Sequence, residues 1–127
     1  MSSLQVSVRV VGRMPPTGGR VGQPVEVGAE VTASITNPDN VDAEVTLNVA
    51  MSDNQGKLSV WSQPVTKTST KTAHDSVWTT ISGSATYDQA AWVGVSCRVT
   101  LYDRSSGGNA YDADHDAGHF NVAGPET

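Results

Sequence analysis

The sequence predicts an all-β protein, an antiparallel two-sheet sandwich of about seven to eight strands. Three observations lead there. Apolar residues recur at every second position through most of the chain, β-branched residues dominate those runs, and clusters of Gly, Pro, Asn, Asp and Ser separate them. Alternate side chains of a strand point to opposite faces, so each run offers one face to a core and one to water. No stretch carries the spacing of an amphipathic helix.

The elements follow in order. Leu4, Val6, Val8 and Val10 alternate with Gln5, Ser7 and Arg9, and then Gly12 to Gly22 reads as a long flexible connection. Val25, Val27, Ala29, Val31, Ala33 and Ile35 form the next apolar row, and Val45, Leu47, Val49 and Met51 the third. β-branched side chains lose little further freedom on a pleated surface, which favours strands here. Further strands are expected at 57–62, 65–70, 76–82 and 92–102, with a short last one near 119–123. Turn chemistry separates them at Pro15-Pro16-Thr17-Gly18-Gly19, Asn37-Pro38-Asp39-Asn40, Asp53-Asn54-Gln55-Gly56 and Ser105-Ser106-Gly107-Gly108-Asn109. With no repeat and no internal boundary, the expectation is one domain over 1–123 and a loose tail at 124–127.

At 127 residues a chain can build a core without metal or disulfide. Acidic residues outnumber basic ones, 13 to 8, and no basic run occurs, which argues against nucleic acid or an anionic membrane as partner. The single cysteine, Cys97, excludes an intrachain disulfide. No apolar run approaches the roughly 20 residues that span a bilayer, so no membrane insertion is expected. The opening Met-Ser-Ser-Leu-Gln-Val lacks a signal-peptide pattern. The expectation is therefore cytoplasmic synthesis and assembly into a particle.

Pro24-Val25-Glu26-Val27, the Val31 to Ile35 run, Asn37-Pro38 and the Val45 to Met51 run resemble the B-turn-C portion of bacterial immunoglobulin-like modules. Those are often adhesion-type or surface-appended domains, so the resemblance implies an immunoglobulin-like sandwich that works by binding. Asp116-Ala117-Gly118-His119-Phe120-Asn121-Val122 is similar to the Asp-x-Gly-x-Tyr-x-Cys signature of that family's F strand. Phe120 lacks the tyrosine hydroxyl, however, Val122 replaces the cysteine, and too few residues follow for another strand.

The run Tyr111-Asp112-Ala113-Asp114-His115-Asp116-Ala117-Gly118-His119-Phe120 concentrates carboxylates and imidazoles. Asp112, Asp114 and Asp116 match the first oxygens of a calcium loop, but Ala117 and Ala123 stand where that loop needs Gly and Glu. A looser calcium site on the three aspartates remains, or a transition-metal site adding His115 and His119. The competing reading is a solvent-facing row, because the three aspartates share one parity, with Arg104 offsetting part of their charge.

His74-Asp75-Ser76 holds the residue types of a hydrolase triad, but chain neighbours rarely meet its geometry. It reads as a turn entering a strand. Cys97 keeps the parity of Val93, Val95, Val99 and Leu101 and reads as a small core residue. The aromatics differ. Trp61, Trp78 and Trp92 fall out of step with their aliphatic neighbours, and Tyr102 shares the parity of Trp92. They are expected on outer faces or sheet ends, together making an interaction surface. The functional expectation is a non-catalytic structural or interaction module, binding a protein partner or itself, which decorates a larger assembly such as a cell surface or phage particle. The alternative is a carbohydrate-binding module, calcium-dependent through Asp112 to Asp116, with the tryptophans as platform.

Overall fold

The computed structural model describes residues 3–124, which form nine strands and no helix. They are β1 (Gln5–Arg13), β2 (Gly19–Arg20), β3 (Pro24–Thr36), β4 (Ala43–Asp53), β5 (Ser59–Trp61), β6 (Val65–Ser69), β7 (His74–Thr86), β8 (Ala91–Asp103) and β9 (Gly108–Ala123). Two sheets result. The smaller has the order β1-β3-β7, and the larger runs β2-β9-β8-β4-β5, with β6 also on β4. All pairings are antiparallel except the two-residue contact of β2 with β9. The larger sheet curls into a half-barrel.

The aliphatic rows meet between the sheets as expected. Val31, Ala33, Val45, Leu47, Val93, Cys97, Val99 and Leu101 are fully buried. Each such Val or Leu removed from water contributes about 1.5–3 kcal/mol, so these rows drive the two sheets together.

Three expectations need correction. The strand count exceeds seven to eight because Gly19–Arg20 pairs with β9 as a further strand, β2, beside the eight expected runs. Part of the supposed connection from Gly12 to Gly22 is strand: Gly12 and Arg13 end β1, and Gly19 and Arg20 form β2. The last strand is not short but runs from Gly108, so the aspartates lie on a strand and not in a loop. Of the expected tail, Pro125, Glu126 and Thr127 lie outside the described residues.

The physical reason β9 escapes a periodicity reading is its bulges. Its pairing with β8 slips between Val95 and Ser96 and between Leu101 and Tyr102, which leaves Ala110 and Ala117 as extra residues. Each extra residue reverses the in-out alternation that follows it. Gly118, beside the second bulge, has a φ of 131°, a conformation that side chains other than hydrogen disfavour.

Two seams join the two sheets. At one, β1 lies against β9 so closely that a Cβ on Gly12 would sit 1.5 Å from the Ala117 carbonyl oxygen. At the other, β5 and β6 face β7 through side chains: Leu58 and Val60 cover Gly83, and Lys67 Nζ donates to the Ser76 carbonyl at 2.6 Å. Tyr87 connects both ends. It is buried, its ring meets Phe120 edge-on, and its hydroxyl donates to Asp53 Oδ2 at 2.7 Å. Its carbonyl accepts from Gly22 N. Burial, then the hydrogen bond to Asp53, raises the phenol above its ordinary pKa, so the hydroxyl stays a donor.

Candidate functional site

The outer face of the larger sheet carries most of the candidate residues, and strand pairing fixes their neighbours. Opposite Thr100, Arg98 and Ser96 of β8 stand Asp112, Asp114 and Asp116 of β9. The three aspartates face solvent in one row, the arrangement their shared parity implies. Arg98 grips Asp112 with two parallel bonds, Nε to Oδ1 at 2.9 Å and Nη2 to Oδ2 at 2.8 Å, while Thr100 Oγ1 donates to Oδ1 at 3.2 Å. The Arg98 hydrogen bonds, reinforced by its charge and by Thr100, hold the Asp112 carboxyl below the usual aspartate range. Asp116 Oδ1 accepts from Gly118 N.

This geometry spaces the three aspartates along the strand and corrects the expected counter-charge. Alternate residues of a strand stand about 6.8 Å apart, so Asp112 and Asp116 are separated by about 13.6 Å, more than two aspartate side chains and one ion span. Arg98 supplies the positive charge, whereas Arg104 pairs with Glu44 at 2.9 Å. The imidazoles diverge as well. His115 sits on the opposite side of β9 from the aspartates, bonded through Nε2 to the Tyr111 hydroxyl at 2.5 Å and stacked on that ring. His119 faces outward beside Trp92. Among the described residues no three His, Cys, Asp or Glu side chains converge.

Trp61, Trp78 and Trp92 all point away from the core, with 74, 63 and 55% of their surface exposed. Tyr102 is half-buried on the same outer face as Trp92. They do not form one surface, which corrects the expectation of a joint patch. Trp78 projects from the smaller sheet, on the far side of the sandwich. Trp61 lies on edge strand β5, opposite Ala50. Trp92 and Tyr102 occupy the two ends of β8, about 34 Å apart.

Trp92 is the most firmly positioned of them. Its six-membered ring lies over Gly94, where an added Cβ would come within 2.9 Å, and it stacks with His119 at a centroid distance of 5.5 Å and 27°. The turn after β4 clamps the same backbone: Gln55 Nε2 donates to the Trp92 carbonyl at 3.1 Å, and Gly94 N donates to Asn54 Oδ1 at 3.0 Å.

The Tyr102 end is different. There an open hollow of about 500 Å³ is lined by Thr46 and Asn48 of β4, Thr66 of β6, Thr100 and Tyr102 of β8, and Asn109 of β9, with Arg104 at its rim. Of this group the sequence points to Tyr102 as a binding residue and to Arg104 only as a counter-charge. Thr46 and Asn48 occupy the outward phase of β4, but no spacing rule shows that they adjoin Asn109. A cleft of about 690 Å³ under the Pro15 to Arg20 turn and a depression of about 520 Å³ over Gly28 complete the larger concavities.

The remaining candidates are structural. His74 and Ser76 face outward while Asp75 accepts from Thr70 N at 2.7 Å, so the three residues never converge. Cys97 is fully buried, and that burial pushes its thiol up to about 11.

No family pattern and no curated protein matches the chain. Among solved structures, a Northeast Structural Genomics Consortium target is similar at 15% identity and a TM-score of 0.48, covering 97% of this chain and 88% of that one. A provisionally named ApaA protein of Bordetella pertussis is similar at 12% identity and a TM-score of 0.45, covering 98% and 97%. Likeness this weak carries no functional argument. No helix among the described residues is long and apolar enough to cross a membrane.

Proposed function

We propose that the chain is a non-catalytic binding module on an immunoglobulin-like sandwich, and that its ligand is a protein partner or a second copy of itself within a larger assembly. The strand order supports the fold assignment. A first, second and fifth long strand (β1, β3, β7) face a third, sixth and seventh (β4, β8, β9), with the interrupted fourth (β5 and β6) on β4. That matches the immunoglobulin arrangement with its fourth strand moved to the other sheet. Tyr87 also sits in the connection entering β8, where that family carries its corner tyrosine, although its hydroxyl bonds to the Asp53 carboxylate and not to nearby backbone. The absence of chemistry is supported by a cysteine shut away as the protonated thiol and by a His-Asp-Ser run that points in alternating directions.

One observation carries the binding reading. Three tryptophans stand more than half exposed on strands whose opposite faces are buried or, for Trp61, partly buried. A large aromatic held outward on a rigid sheet loses little freedom when covered, and tryptophan dominates contact energies. Because the three lie apart, single substitutions separate them. Sedimentation velocity over a concentration series, with wild type, Trp61→Ala, Trp78→Ala and Trp92→Ala, tests the reading. The expected result is association weakened about tenfold or more in one variant, with unchanged melting. Uniformly monomeric protein that also captures no partner in a tryptophan-dependent way overturns it.

A further inference from the structure

We propose that the hollow beside Tyr102 is a binding site for a neutral sugar ring of an oligosaccharide. The inference rests on the reading that the chain works by binding, and it assigns a ligand class to a surface distinct from the three tryptophans. The floor of the hollow comes from adjacent strands: Thr46 opposes Tyr102 and Asn48 opposes Thr100 across β4 and β8, and Asn109 opposes Tyr102 from β9. Thr66 closes the other side, its hydroxyl bonded to that of Thr46 at 3.0 Å. All of these backbones are held in ladders, so the groups are in place before a ligand arrives.

Three features select the ligand. First, the amides of Asn48 and Asn109 and the hydroxyl of Tyr102 make no side-chain hydrogen bond among the described residues. They offer donors and acceptors together, the mixture that hydroxyl groups require. Second, the nearby charges are already matched within the protein, Arg104 by Glu44 and Arg98 by Asp112. An anionic ligand would have to break one of those pairs, whereas an uncharged one leaves both intact. Third, one aromatic ring stands among the polar groups. A pyranose presents a face of C–H bonds to such a ring while its rim hydroxyls reach the amides. An extended peptide would need unpaired strand edges, and here β4, β8 and β9 are paired with one another.

The test uses ¹H–¹⁵N correlation spectra of the whole chain titrated with cellohexaose, mannohexaose and chitohexaose, alongside an array carrying neutral, sialylated and sulfated glycans. At least one neutral oligosaccharide is expected to shift the amides of Asn48, Thr100, Tyr102 and Asn109. Affinity should fall about tenfold or more in Tyr102→Ala and in Asn48→Ala and stay unchanged in Trp78→Ala. Binding confined to acidic glycans, no binding to any neutral glycan, or wild-type affinity in Tyr102→Ala each overturns the proposal. Should either variant fail to fold, shifts in the wild-type protein that map elsewhere overturn it as well. Glycan silence with tryptophan-dependent protein association removes this inference and leaves the binding-module reading standing.

Discussion

The two seams of the sandwich are closed by different means. Where β1 meets β9, backbone meets backbone, and Gly12 leaves no room for even one carbon beside the Ala117 carbonyl. Where β5 and β6 meet β7, side chains fill the gap, with Leu58 and Val60 over Gly83 and the Lys67 ammonium on Ser76. A backbone seam has no slack, because moving it means moving a ladder. A side-chain seam yields by rotation about single bonds. The broken edge strand at 62–64 adds to that tolerance.

Substitutions turn this contrast into numbers. Gly12→Ala should be the most damaging, costing at least about 3 kcal/mol, because β1 must leave β9 to admit the methyl group. A urea midpoint that moves by less than half of that would mean the seam is loose. Tyr87→Phe comes next, at about 1.5–3 kcal/mol, the usual worth of a hydrogen bond to a charged group. That residue touches both ends of the comparison, Gly22 near the first seam and Asp53 at the entry to the second. Gly83→Ala should cost about 1 kcal/mol, since the Val60 methyl 2.8 Å from the new carbon belongs to a side chain that turns away. Equal losses in Gly12→Ala and Gly83→Ala would erase the distinction between the seams.

The smallest effect concerns pH. Arg98 lowers the folded-state pKa of Asp112, so the pair stabilises the fold above the ordinary aspartate value of about 3.9 and stops doing so as pH falls through the lowered one. Both partners are well exposed, so solvent screens them and the change is slight. Arg98→Ala should therefore flatten the acid limb of the melting curve while leaving the neutral plateau nearly unmoved. A steeper acid limb in that variant would contradict the assignment.

The core was legible because each long strand keeps its phase. Val27, Val49 and Val95 could be placed inside, and Trp61, Trp78 and Trp92 outside, from parity alone. Phase names a face, but it does not say which sheet carries that face. Trp78 and Trp92 have the same outward phase and end on opposite sides of the molecule, a fact settled only when β7 pairs with β3 and β8 with β4. The β9 strand was hidden for another reason. Before Phe120 and Val122 its inward positions hold Tyr111, Ala113, His115 and Ala117, side chains mostly too small or too polar to register as an apolar row, and two bulges break the count. The hollow at Tyr102 depends on residues from four strands, and no local pattern connects Asn48 with Asn109.

The single thiol of the chain, on Cys97, lies in the middle of β8 and points into the core between the two sheets, fully buried. Its alkylation clock therefore runs only during excursions that open this core, and fraying confined to strand ends leaves it silent. The molecule thus carries a built-in stopwatch for its rarest opening, one that needs no engineered label and reads out by mass.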